Sequence, residues 1–464
     1  MVFSSITFLF YFLPIVLFLY FISPKKFKNA VLLLASFVFY FLGEPKYVFI
    51  MLATIFVTYL GGLLIDKYKQ KEKKNITKII FILTIIINVG ILIYFKYINF
   101  LIDNINLLLR NKIDTLEVIL PIGISFYTFQ ILSYVIDLYR GNVKVQKNIF
   151  NLAMYVMLFP QLIAGPIVRY STIEKELHER TCTLEKTSEG IKRFIIGLSK
   201  KVLIANMFGE FIEVFNLEND VTVLSYWMYA IANMLQIYFD FSGYSDMAIG
   251  LGKIFGFEFL ENFDHPYESK SITEFWRRWH MSLGSWFRDY IYIPLGGNKK
   301  GIKRQIVNIL IVWMLTGLWH GAEWNFVIWG LFFGIILIIE KLFLLKWLEK
   351  APRVISSIYV LFTVMISFIV FSAPSFEAIK INIFGLFNFS NGVCSSVSLY
   401  YLKSYLVLFV IGIIGSTKLF KNVFLDKEGK IKDFVEIVFL VLLLVISTSY
   451  IIDGSFNPFL YFRF

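Results

Sequence analysis

Two of the four histidines in this chain stand in unusual company. His280 closes the run Trp276-Arg277-Arg278-Trp279-His280, and His320, forty residues later, sits in LTGLWHGAEWNFVIWG. An imidazole has an unperturbed pKa near about 6.5, and burial lowers it, so an embedded histidine stays neutral and can accept a proton. No G-x-S-x-G nucleophile elbow, P-loop or zinc-spaced His/Cys/Asp cluster accompanies the pair. The chemistry left open is a single base acting without a covalent enzyme intermediate. The competing reading is a neutral core histidine bonded to a carbonyl, and the residues alone leave both standing. His178 and His265 lie in charged loops and read as surface residues.

The elements that must position these groups are apolar. The 464-residue chain is 58% hydrophobic and 17% charged, where a soluble domain carries about 25% charge. Many runs approach the roughly 20 apolar residues that a bilayer-crossing helix needs. Long non-alternating runs such as Ile79–Tyr94 exclude the short alternating segments of a membrane β-barrel. The fold class is therefore an all-α polytopic membrane protein, with about 11–13 membrane-embedded helices, re-entrant ones included. One integral domain is expected over residues 1–464. The net charge of +12 is spread over loops, as positive-inside orientation requires, and forms no single basic face for nucleic acid. Cys182 and Cys394 suggest neither a metal site nor a disulfide framework. The apolar start, Met1–Ile22, lacks a basic n-region and a cleavage site, so it reads as a retained helix.

The first spans are expected at Phe3–Ile22, Asn29–Leu42, Tyr47–Ile65 and Ile79–Tyr94, with basic loops Pro24–Lys28 and Lys67–Lys78 inside and the N-terminus outside. A polar loop with Arg110, Lys112 and Asp114 follows. The next span, Leu120–Leu138, carries small and hydroxyl residues suited to close packing. Asn151–Val168 contains Pro160, Gly165 and Pro166, so a broken, re-entrant segment and a plain proline kink both fit it. Ile191–Asn206 is amphipathic. Val223–Phe239 runs on to Asp240 and Asp246, expected to pair with arginines or to sit at a helix end. Further spans are expected at Gln305–Trp319, Trp324–Phe343, Val354–Phe371, Tyr401–Gly415 and Val435–Ile452.

Between them lies the longest charged region, Phe257–Arg304, whose basic excess puts it on the cytoplasmic side. Ser271 and Thr273 are candidate N-caps, and a helix is expected from there to about Tyr290, with Phe275, Trp279, Ser282, Trp286 and Tyr290 on one stripe. A basic aromatic helix at the interface has an anchoring role as its simplest explanation. From Arg304 to His320 there are 16 steps, roughly 24 Å at helical rise against a hydrocarbon core of about 30 Å, which leaves His320 embedded.

These blocks resemble the membrane-bound O-acyltransferases, specifically the bacterial branch of alginate O-acetyltransferases and related polysaccharide acetylases. The matching pieces are Pro160–Tyr170, Phe239–Gly250, Glu261–Asn298, Gly317–Gly330 and the terminal FLYFRF. The resemblance implies a fold with a central channel and acyl transfer to a hydroxyl, with His320 catalytic and His280 the second characteristic histidine, nearer the cytoplasm. It implies no bound cofactor. The donor would be an acyl thioester, acetyl-CoA, entering from the cytoplasm where Arg277 and Arg278 could meet its phosphates. Trp276, Trp279, Trp319 and Asn325 are the further substrate- or donor-binding candidates. The implied acceptor is a polysaccharide outside the cell membrane of a bacterium, or an extracytoplasmic partner protein that relays the acetyl group. Two alternatives stay open: D-alanyl transfer from a carrier protein to teichoic acid, and a transporter or flippase with no acyl chemistry.

Overall fold

In lipid a backbone can satisfy its polar groups only within its own helix or against other protein. The computed structural model describes residues 2–109, 112–163, 165–419 and 430–454, and these are helical with no strand among them. Arg110 and the terminal FLYFRF lie outside the described residues. Eight helices among the described residues are long and apolar enough to cross a membrane. The chain divides into two compact units, Met1–Phe194 with Met247–Leu260, and Ile195–Asp246 with Glu261–Phe464.

In the first unit, α1 (Thr7–Ile22), α2 (Lys28–Gly43), α3 (Val48–Gln70) and α4 (Lys74–Asn106) follow the four expected spans. α5 (Ile124–Arg140) is the small-residue segment, and fourteen of its seventeen residues are buried. Ser133 Oγ donates back to the Gln130 carbonyl of its own helix at 2.7 Å. α6 (Ile149–Met157) then breaks, followed by one short turn at Phe159–Leu162 and extended backbone. Protein groups satisfy this irregular stretch. Tyr155 Oη donates to the Val168 carbonyl at 3.0 Å, and Ser36 Oγ accepts from the Phe159 amide at 3.1 Å. The segment is thus broken rather than merely kinked, with protein groups supplying partners for its irregular backbone. Arg180 ties this unit together, donating to Tyr20 Oη at 3.0 Å, to the Phe255 carbonyl at 3.1 Å and to Asn29 Oδ1 at 2.5 Å.

α7 (Leu184–Ser199) leads through a π-helical turn, Lys200–Ala205, into α8 (Asn206–Leu217). α9 (Val223–Ile254) follows. The second unit then builds the charged region from short pieces: α10 (Ile272–Arg278), α11 (Met281–Phe287) and a π turn at Arg288–Tyr292. α12 (Gly301–His320), α13 (Trp324–Lys350), α14 (Arg353–Ser372), α15 (Phe376–Gly385), α16 (Ser396–Gly415) and α17 (Lys430–Ile452) complete it.

The single helix expected from Ser271 to Tyr290 is corrected to two. Trp279 is extended, and His280 adopts a left-handed backbone with φ +45°. That conformation costs a non-glycine residue roughly 1 kcal/mol. Residues 262–264 hold it: the Asp264 amide donates to the Arg278 carbonyl at 2.9 Å, and the Met281 amide donates to the Asn262 carbonyl at 3.0 Å. The stripe survives because Phe275, Trp279, Ser282, Trp286 and Tyr290 are all buried on both sides of the break, so periodicity alone does not reveal it.

Candidate functional site

α10 begins where sequence reading places a cap: Ser271 Oγ accepts from the Glu274 amide at 3.0 Å. A second anchor comes from far along the chain. Glu340, fully buried on α13, accepts from the amides of Ile272 at 2.6 Å and Thr273 at 2.8 Å. It also takes bonds from Thr273 Oγ1 at 2.6 Å and Tyr359 Oη at 3.1 Å. A carboxylate is the natural partner of the positive N-terminal end of a helix. This anchor fixes the element that carries Trp276, Arg277 and Arg278.

Within the second unit two cavities lie on either side of an imidazole–indole–imidazole group. The first, about 660 Å³, is lined by Thr273, Trp276, Arg277, His280, Ser285, Arg288, Trp313 and Thr316, among others. The second, about 580 Å³, is lined by Glu213, Asn233, Gln236, Asp240, Trp279, His320, Glu323, Asn325, Trp329 and Asn382, among others. Trp319 packs against both histidines, with ring centroids 5.8 Å from His280 and 5.1 Å from His320. His320 is 4% exposed and also meets Trp329 at 5.1 Å and Phe371 at 5.3 Å. His280 is 1% exposed, with Phe241 edge-on at 4.6 Å. Burial, with His320 close by, holds the His280 imidazole well below its usual range, so it is neutral.

The candidates separate by cavity. Trp276, Arg277 and His280 line the first; Trp279, His320 and Asn325 line the second. Arg278 turns aside to ion pairs with Glu274 at 2.7 Å and Asp264 at 3.8 Å, and lines neither cavity. Asn325 Nδ2 donates to the Ala373 carbonyl at 3.3 Å, which ties the start of α13 to the end of α14. His178 is exposed, and His265 lies 3.2 Å from Asp264 at the unit's edge. Among the described residues no group of three or more His, Cys, Asp or Glu side chains is arranged to hold a metal.

The two cavities differ in electrostatics. Arg277 and Arg288 make the first cationic; Arg288 also pairs with Asp289 at 2.7 Å. Carboxylates and amides dominate the polar lining of the second. Asp240 is held there by Lys201 at 2.5 Å, with both side chains no more than 3% exposed. Asp246 pairs with Lys200 at 2.7 Å. Lysines of the π-helical turn are thus partners of Asp240 and Asp246. Sequence reading also missed Asn262, Asn233, Gln236 and Glu340 as site residues. Asn262 lies inside a quoted motif block, which was its only signal.

Residues 144–379 match the membrane-bound O-acyltransferase family. The chain is 37% identical to the Azotobacter vinelandii protein named "Probable alginate O-acetylase AlgI", across the full length of both chains. It is 33% identical to the peptidoglycan O-acetyltransferase of Helicobacter pylori over 82% of this chain and 78% of that one. Its likeness to the teichoic acid D-alanyltransferase of Bacillus subtilis, 31% identical, covers 49% of this chain and 60% of the relative. This multi-pass membrane protein therefore belongs to the membrane-bound O-acyltransferase family and is an O-acyltransferase.

Proposed function

We propose that the protein moves an acetyl group from acetyl-CoA to a hydroxyl of a polysaccharide outside the cytoplasmic membrane of a bacterium, directly or through a relay protein. The observation that carries this reading is the pair of unlike cavities, one lined by His280 and the other by His320, with Trp319 packed against both imidazoles. A cationic cavity suits the phosphates of a coenzyme A thioester, with Arg277 the nearer contact. A cavity of carboxylates, amides and indoles suits a polyhydroxylated acceptor. His320 takes the proton of the acceptor hydroxyl as its oxygen attacks the thioester carbonyl. The C–O bond forms, the C–S bond breaks, and the proton passes to the departing thiolate. Basic residues Lys299, Lys300, Lys303 and Arg304 at the start of α12 favour a cytoplasmic donor side.

D-alanyl transfer is the second reading. It is favoured less, because the D-alanyltransferase relative covers half of this chain whereas an alginate O-acetylase relative covers all of it. The test uses purified protein in lipid vesicles, supplied with labelled acetyl-CoA or with a D-alanyl-charged carrier. Acetyl release and transfer to oligosaccharide are expected with the first donor. His320→Ala should lower turnover at least about 10²-fold, the lower end of the range for a general base. Wild-type turnover in that variant would exclude His320 as the base, and use of the charged carrier alone would select D-alanyl transfer.

A further inference from the structure

His280 is exposed by 1%, strained into a left-handed backbone and bonded through one ring nitrogen. Its Nδ1 lies 3.2 Å from Asn262 Oδ1. The same oxygen accepts from the Ser282 amide at 3.2 Å and from Ser282 Oγ at 2.9 Å. A backbone amide can only donate, so the Asn262 atom facing it must be the oxygen and not the amide nitrogen. His280 Nδ1 must then carry the proton, and Nε2 carries the lone pair. Nε2 is buried and has no hydrogen-bond partner among the described residues. The ring lines the cationic cavity.

We propose that Asn262 is a positioning residue for acyl transfer: it fixes the His280 proton on Nδ1 and so presents Nε2, as a hydrogen-bond acceptor, to the occupant of the first cavity. Asn262 is fully buried and its backbone carbonyl also accepts the Met281 amide, so one residue sets both the backbone and the tautomer of His280. Such an occupant must offer an N–H, O–H or S–H group there. An amide-bearing thioester arm has such groups, and that last step rests on the function proposed above; the tautomer does not. The charged and titratable surroundings of His280 are few. His320 lies across Trp319, Arg277 and Arg288 line the same cavity, and Asp264, two residues after Asn262, is engaged with Arg278. Phe241 from α9 and Trp319 from α12 bring no charge.

The test has two arms on the full-length protein in bilayers. The first is ¹⁵N spectroscopy of ring-labelled histidine, with the His280 signals assigned by their loss in His280→Gln. The protonated nitrogen should be Nδ1, and a proton on Nε2 overturns the proposal whatever the protein transfers. The second is the pH profile of labelled acetyl transfer. Asn262→Ala should reduce kcat/KM roughly 10- to 100-fold, taking as a guide the cost when a metal-bound imidazole loses the partner that fixes its tautomer. In Asn262→Asp the carboxylate favours imidazolium and raises the His280 pKa, so activity should fall at a higher pH on the acidic side than in wild type, by about one unit or more. An unshifted acidic limb in a folded Asn262→Asp protein overturns the positioning role. Loss of acyl transfer as a function would leave the ¹⁵N result intact, which separates the two failures.

Discussion

Four donors converge on the carboxylate of Glu340, which is itself fully buried. Removing it leaves two backbone amides at the start of α10 without an acceptor. Each such group costs about 1–3 kcal/mol. Glu340→Ala should therefore destabilise the protein by about 3 kcal/mol, seen as an earlier thermal transition in detergent. It should also raise the KM for the acyl donor more than it lowers kcat, because α10 carries Trp276 and Arg277 into the first cavity. Glu340→Gln keeps one acceptor oxygen and should fall between. A wild-type melting temperature in Glu340→Ala would refute the anchoring role. The buried pair Lys201–Asp240 poses a related problem, since a charge left alone there costs about 3–5 kcal/mol.

The α12–α13 hairpin places His320, and two glycines let its helices touch. A Cβ on Gly317 would collide with the Phe326 carbonyl oxygen, and one on Gly330 with the Trp313 carbonyl oxygen. Backbone cannot step aside as a side chain can. Gly330→Ala should cost at least the about 1–3 kcal/mol of ordinary overpacking and displace His320, with activity lost in proportion. Gly334→Ala on the same helix meets Trp313 Cβ at 3.2 Å and should be much milder. Equal effects of the two on thermal stability and turnover would refute close backbone approach as the cause. Much at this scale is legible in the chain. The apolar runs announce the spans, and the Trp-His blocks announce the two imidazoles, because composition and spacing are local properties. The break at His280, the anchor at Glu340 and the lysine partners of Asp240 and Asp246 are not local. They depend on contacts 18, 68, and 39 and 46 residues apart, and nothing in a helical period encodes which distant side chain arrives.

Across the second unit, charge and chain direction agree. α12 starts among Lys299, Lys300, Lys303 and Arg304, and α13 passes to α14 through Lys346, Lys350 and Arg353. If α12, α13 and α14 each cross, these basic ends share one face, which the positive-inside rule makes cytoplasmic. The opposite ends, at Gly321–Glu323 and from Ala373 to Cys394, then face outward, and the second cavity is lined by Glu323, Ala373, Ala378 and Asn382 from those ends. Cys394 is exposed just before α16. A membrane-impermeant maleimide should label it in right-side-out vesicles, and Cys394→Ser should remove that label. In the Cys394→Ser background, Asn382→Cys should be labelled from the same side, and the added bulk at the second cavity should block transfer to oligosaccharide while leaving donor binding at the first. Labelling of both positions only in inside-out vesicles would invert the orientation, and labelled Asn382→Cys protein that still acetylates oligosaccharide at full rate would remove the second cavity as the acceptor's route.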